Sequence, residues 1–286
     1  MTKERKGELF ILGSAITWGF FPVFAVISYK SLPPLYSLAV SSVVAAGFFA
    51  LSLTFRKEWS QLKIKNAWWH LLWIIVCNSV GYHALFYLAL RFTSPGNAVL
   101  IALTEVLFAF LLFQGWHKEE MTRAHVFGAA LILLGASIIL SQNFHGFVWG
   151  DWLVVLAAVI APFGNFHQKK VRSIISSHAL LFARSAFSVP FVLLIALMLG
   201  EKFQFSDLVL SWKSVVFIGI VSLALSKIFW VEGIHRINVT KSNTIGSLGA
   251  AFTILFSWLI LSQVPTLRQL LALPVLLVGL YFITKN

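Results

Sequence analysis

The sequence predicts an all-α integral membrane protein of ten transmembrane helices, arranged as two inverted five-helix repeats. Three observations predict it. Hydrophobic residues make up 59% of the 286 and charged residues only 11%, with a mean hydropathy of +0.87. A soluble domain is about half apolar and about a quarter charged, so this chain has too few charges to cover a wetted surface. The apolar residues fall into ten runs of bilayer length, and the last five runs repeat the order of the first five.

A hydrocarbon core about 30 Å thick needs about 20 mostly apolar residues per helix. That ruler places helices at 8–29, 35–55, 67–90, 95–115, 123–141, 151–168, 178–199, 213–235, 240–262 and 266–284. The joins carry turn formers and charges: Pro33-Pro34, Arg56-Lys57-Glu58, Ser94-Pro95-Gly96, Lys118-Glu119-Glu120, Asn143 to Gly146, Lys169-Lys170 and Pro265. Most joins are short and leave no room for a soluble domain. Lys3, Arg5 and Lys6 before an apolar run have the charge of a signal peptide. The run is long and lacks a small-residue cleavage site, so it reads as the first permanent helix.

Most of the 22 Lys and Arg fall on the N-terminal side of the alternating joins, among them Lys3, Arg5, Lys6, Arg56, Lys57, Lys118, Lys169 and Lys170. Lys30, Arg91, Lys202, Lys213 and Arg268 fall on the other side. The positive-inside rule then puts both termini in the cytoplasm of a multi-pass inner (plasma) membrane protein. The +12 net charge is spread over the joins and forms no single patch, so nucleic acid is excluded as a partner. Cys77 is the only cysteine, which excludes a disulfide within the chain.

The halves, 1–142 and 143–286, align on each other. Gly7-Glu8 matches Gly150-Asp151, and the stretch from Ala89 to Leu140 runs without gaps against Gly233 to Thr284. Five crossings is an odd number, so the second half enters the bilayer upside-down, a construction common in secondary transporters.

The Gly-acidic start, the Trp18-Gly19 interruption and the segments YLALRFTSPGNAVLIALTEVLFAFLL and IHRINVTKSNTIGSLGAAFTILFSWLILSQVPT resemble the drug/metabolite transporter superfamily in its EamA-type ten-helix form. The likeness runs over nearly the whole chain. Val106 stands after Glu105 where that family often has Pro, and Lys118-Glu119 and Ser262-Gln263 stand where it commonly has Gly-Glu. The resemblance implies a central cavity lined by helices 1–4 and 6–9, with 5 and 10 at the periphery. It also implies carriage of small metabolites, with export of amino acids or related zwitterions first and import or exchange of nucleotide-like compounds as the alternative.

Candidate site residues come from three signals. Trp18-Gly19-Phe20-Phe21-Pro22 in the first helix and Ala161-Pro162-Phe163-Gly164-Asn165 in the sixth are matched Gly/Pro interruptions, and they predict kinks and a working centre. Ionisable groups cost roughly 2.5–3.5 kcal/mol near a helix centre on insertion scales, so Glu105, Arg184 and Lys227 are the next candidates. Glu105 is expected to pair with Lys227 or Arg184, as a zwitterion site, a gate, a proton site or a permanent buried ion pair. Polar groups supply the rest: Asn78, Tyr82 and His83 on the third helix, Asn97 at the start of the fourth, and Asn243 and Ser247 at the start of the ninth.

Trp18, Phe20, Phe86, Phe108, Phe163, Phe229 and Trp230 are candidate aromatic walls, and Glu105 and His83 are candidate groups for proton coupling. No metalloprotease, hydrolase or nucleotide-loop motif occurs, so neither enzyme chemistry, a metal, a cofactor nor ATP drive is expected. Gly128, Gly135 and Gly279 give helices 5 and 10 small-residue faces suited to a scaffold or a homodimer contact.

Overall fold

The computed structural model describes residues 2–117, 122–140, 148–237, 242 and 245–284. Every regular element among them is helical. In chain order these are α1 (Lys3–Ser28), α2 (Pro34–Arg56), α3 (Lys65–Ala89), α4 (Pro95–Ala102 continued by Thr104–His117) and α5 (Arg123–Leu140), then α6 (Trp149–Val171), α7 (Ser177–Met198), α8 (Phe205–Ile234), α9 (Leu248–Leu261) and α10 (Leu267–Thr284). Eight of these are long and apolar enough to cross a membrane; α9 and the apolar part of α10 are shorter among the described residues.

Local chemistry sets the ends. Ser94 caps α4 by accepting from the Asn97 amide, with Pro95 at the first helical position, where its missing N–H costs nothing. Lys57 ends α2 in the left-handed region at φ 56°. The eighth helix begins at Phe205, ahead of the apolar run at 213, because Asp207, Ser211 and Lys213 lower hydropathy without weakening the helix. Asp207 lies in the first turn, where a carboxylate complements the helix dipole.

Pro22 and Pro162 do not interrupt their helices: α1 and α6 run through them. Around Pro22, cross-helix hydroxyls bond the carbonyls of the preceding turn, Ser222 to Thr17 and Thr253 to Gly19. The carbonyl that Pro22 leaves without its helical donor is that of Trp18, and these two hydroxyls bond the carbonyls on either side of it. The irregularities lie elsewhere and in matched places. Wide π-type turns occupy Ile74–Tyr82 in α3 and Ile218–Leu225 in α8. The helical hydrogen bonding breaks at Leu103 in the middle of α4 and at Ser247 at the start of α9.

Packing pairs elements of the first half with elements of the second. α2 lies against α7, α1 against α8 and α9, α6 against α3 and α4, and α5 against α10. The last pair uses its small residues on itself. A methyl on Gly135 would meet Leu276 Cγ at 2.5 Å, and one on Gly279 would meet the Gly128 carbonyl at 3.0 Å. The Gly faces of these helices are therefore consumed inside the chain, as a scaffold seam.

Two loop carboxylates fasten the α2–α7 pair. Glu58, after α2, accepts from the Ser176 hydroxyl at the start of α7 (2.6 Å). Glu201, after α7, accepts from the Leu35 amide at the start of α2 (3.1 Å). Burial pushes the Glu201 carboxyl above its ordinary range, opposed by the amides that bond it.

Candidate functional site

A cavity of about 210 Å³ opens among α1, α3, α4, α6, α7 and α8 and the start of α9. The π-type turn of α3 carries Asn78, Ser79 and Tyr82 towards the interior; that of α8 ends directly before Ser226 and Lys227. Such wide turns shift the side-chain register of a helix and recur at functional sites. The break at Leu103 precedes Thr104 and Glu105. Irregular backbone thus presents the polar groups, while α1 and α6 present Trp18 and Asn165 from regular turns.

The polar groups form one chain. His83 gives its Nδ1 proton to the Asn78 carbonyl at 2.6 Å, since a carbonyl can only accept. The Asn78 amide donates to Asn165 Oδ1 at 2.9 Å, and the Asn165 amide donates to Glu105 at 2.6 Å. Gly164 makes this possible, because a side chain there would overlap the Asn78 amide.

The cations are held differently. Lys227 places its ammonium 3.7 Å from the centroid of the Trp18 ring, a cation–π contact. Trp18 in turn stacks on Phe21 (4.6 Å between centroids) and meets His83 edge-on. Arg184 is buried and donates from Nε to Ser79 Oγ at 3.0 Å. The direct ion pairs among the described residues are Arg56–Glu58 and Arg236–Glu232, so neither cavity cation touches a carboxylate. Glu105 and Lys227 interact electrostatically through the cavity.

Of the residues singled out from sequence, Trp18, Asn78, Tyr82, His83, Glu105, Asn165, Arg184, Lys227, Trp230 and Ser247 line this cavity. Gly19 does not. It brings α1 against α9, where an added methyl would lie 2.8 Å from Phe252 Cβ. Asn97 is turned away as well and accepts from the Gln269 amide at 2.7 Å, joining the starts of α4 and α10. Asn243 lies outside the described residues. Among the aromatic candidates other than Trp18 and Trp230, Phe20 stacks on Phe256 at 3.8 Å, Phe86 is buried in the core and Phe163 is exposed. Sequence reasoning missed Ser14, Gln168 and Ser226, which also line the cavity. Single hydroxyls in apolar helices carry no periodic signal, although Ser226 does adjoin Lys227.

The sequence pattern of the EamA-like transporter family matches residues 5–141 and again 148–285. The chain belongs to the EamA-like transporter family. It is accordingly a multi-pass membrane protein and a transporter. This EamA-like protein is 23% identical to the uncharacterised transporter YyaM of Bacillus subtilis over 94% of the chain and 90% of that protein. It is 20% identical to a transporter of Archaeoglobus fulgidus over 99% of both chains. A probable terminal-alkyne amino-acid exporter of Streptantibioticus cattleyicolor is 24% identical over 67% of the chain and 66% of its own length. A crystal structure of another protein superposes with a TM-score of 0.70 at 19% identity, covering 98% of this chain and 96% of that one, which shows a shared fold.

Proposed function

We propose that this EamA-like transporter exports amino acids or related zwitterions across the inner (plasma) membrane by alternating access. One observation carries the substrate class. Glu105 and Lys227 face one cavity from opposite halves, and each is held by a neutral partner instead of by the other. A zwitterion can take both places at once, its ammonium replacing the Asn165 amide at Glu105 and its carboxylate drawing Lys227 off Trp18. The volume of about 210 Å³ lies below the roughly 300–1,000 Å³ of drug-sized sites and favours small metabolites over nucleotide-like ones. Export is supported by the likeness to the probable terminal-alkyne amino-acid exporter of Streptantibioticus.

The mechanism follows from two five-helix halves, residues 1–142 and 143–286, inserted with opposite orientation and with both termini in the cytoplasm. Support comes from the double family match and from packing partners that interchange when the halves are exchanged: α1 with α8 and α9, α6 with α3 and α4. The matched π-type turns and matched breaks point the same way. Glu105, tied through Asn165 and Asn78 to His83, is the proton-coupling group.

The test is counterflow of labelled amino acids in vesicles reconstituted with the purified protein, preceded by a thermal-shift screen of metabolites. Ligands that bind the folded state raise its stability with concentration. Zwitterions should stabilise and exchange. A screen in which only neutral or cationic compounds act would sink the assignment.

A further inference from the structure

Beside the main cavity lies a second pocket of about 20 Å³, walled by Ser42 of α2, Ser79 and His83 of α3, and Arg184, Ser185 and Ser188 of α7, and closed by leucines. About 10–15 Å³ of such space holds one water-sized body, so this pocket takes a single atom or two and no metabolite. Its free polar groups are donors. Ser188 gives its proton to the Ser185 carbonyl. Ser79 accepts from Arg184, which leaves its own proton free, and no hydrogen bond within the described protein commits the hydroxyls of Ser42 or Ser185. His83 adds no donor, because its Nδ1 proton is committed to Asn78 and its Nε2 is sealed from solvent.

Charge decides what such a pocket holds. Arg184 is buried in the membrane-spanning part of α7, its Nε bonded to a neutral serine. No carboxylate lies within ion-pair distance of it among the described residues. The cavity's carboxylate, Glu105, is engaged by Asn165 and by the field of Lys227. A guanidinium held in a low-dielectric interior without a counter-charge is among the costliest arrangements a membrane protein adopts.

We propose that the serine pocket binds a monovalent halide, chloride in ordinary salt, between the Arg184 guanidinium and the hydroxyls of Ser42, Ser79 and Ser185. The ion neutralises Arg184 and ties α2 and α3 of the first half to α7 of the second. The main cavity is then left with one cation, Lys227, and one carboxylate, Glu105. That is the charge pattern a zwitterion matches, and this consequence rests on the proposed substrate class; the ion site itself does not.

The experiment is thermal unfolding of the purified full-length protein without substrate, in sodium gluconate titrated with sodium chloride or bromide at constant ionic strength. The midpoint should rise saturably with either halide. Arg184→Gln should weaken the half-saturating concentration by about tenfold or more, the value of one charge-assisted contact. Should Arg184→Gln fail to fold, Ser185→Val, which fills the pocket and leaves the guanidinium in place, should abolish the halide response. Bromide diffusing into crystals should give an anomalous peak beside Arg184. Identical midpoints in gluconate and chloride would mean that water alone occupies the pocket and would overturn the proposal. So would a halide response that persists in Ser185→Val. Loss of zwitterion binding with the halide response intact would instead overturn the substrate assignment.

Discussion

Gly164→Ala is the sharpest probe of the polar chain across the cavity. Its added Cβ would overlap the Asn78 amide, with even Nδ2 only 2.9 Å away, whereas ordinary contacts begin near 3.4 Å. The obstacle is the far end of a side chain, so α3 and α6 need not separate; the amide swings aside. That motion breaks the 2.9 Å bond to Asn165, because little remains of a hydrogen bond stretched past 3.5 Å. Asn165 is exposed and rehydrates, but Asn78 is buried and loses a partner for its donor. Leaving such a group unsatisfied costs about 1–3 kcal/mol. Reversible unfolding in mixed micelles should show that loss, and ligand affinity should fall with it, since Asn165, which bonds Glu105, is no longer fixed by Asn78. The control is a double-mutant cycle. With Asn78→Ala already present there is nothing to displace, and Gly164→Ala should then cost less than about 0.5 kcal/mol. An equal penalty on both backgrounds would refute the account.

Four further outcomes follow. Glu105→Gln keeps an acceptor for Asn165 but cannot carry a proton, so it should abolish pH-gradient-driven uptake in vesicles while leaving folded protein in the membrane; full coupled uptake would rule out the role given to Glu105. Lys227→Ala should weaken binding of ligands that carry a carboxylate by tenfold or more, about 1.4 kcal/mol, and spare their neutral amides, whereas Lys227→Arg keeps the charge; equal losses across both ligand sets would make Lys227 structural. Gly135→Leu drives a side chain into Leu276 and should lower stability by about 1–3 kcal/mol or prevent folding, while protein that does fold keeps its ligand affinity; a silent substitution would contradict the α5–α10 seam. Glu201 has a folded-state pKa raised above 4.5, so the folded protein binds the extra proton and is stabilised as pH falls through that raised value towards 4.5. Glu201→Gln should remove this part of the pH dependence, checked by comparing unfolding midpoints of the two proteins across that window.

Much of this was legible in the sequence, for physical reasons that differ by element. Composition alone demands lipid-facing helices, and an ionisable group in an apolar run announces itself by its cost; Glu105, Arg184 and Lys227 were found that way. The Gly/Pro segments marked cavity walls, at Trp18, Ala161 and Asn165, but not the points where helical hydrogen bonding is irregular. Pro22 and Pro162 draw attention because they break helices in water, yet α1 and α6 run through them. The irregularities, at Leu103, Ser247 and in the π-type turns of α3 and α8, fall at residues that carry no proline. Asn97 shows the same limit: its partner Gln269 is 172 residues away, and nothing near Asn97 says that its side chain turns there. The serines about Arg184 were invisible because one hydroxyl among apolar residues looks like any other.

The partnership of α1 with α8 and α9 has a consequence for biogenesis. Ser14 meets Ser226 across 212 residues of chain, and synthesis at about 5–20 residues per second takes roughly 10–40 s to cover that distance. For that interval the first helix sits in the bilayer with its future contact face turned to lipid or to the insertion machinery. Thr17 shows how such a face survives the delay, its hydroxyl bonded back to the Gly13 carbonyl one turn earlier in the same helix. In such a pair the helix inserted earlier is packed only when its partner from the other half has followed it.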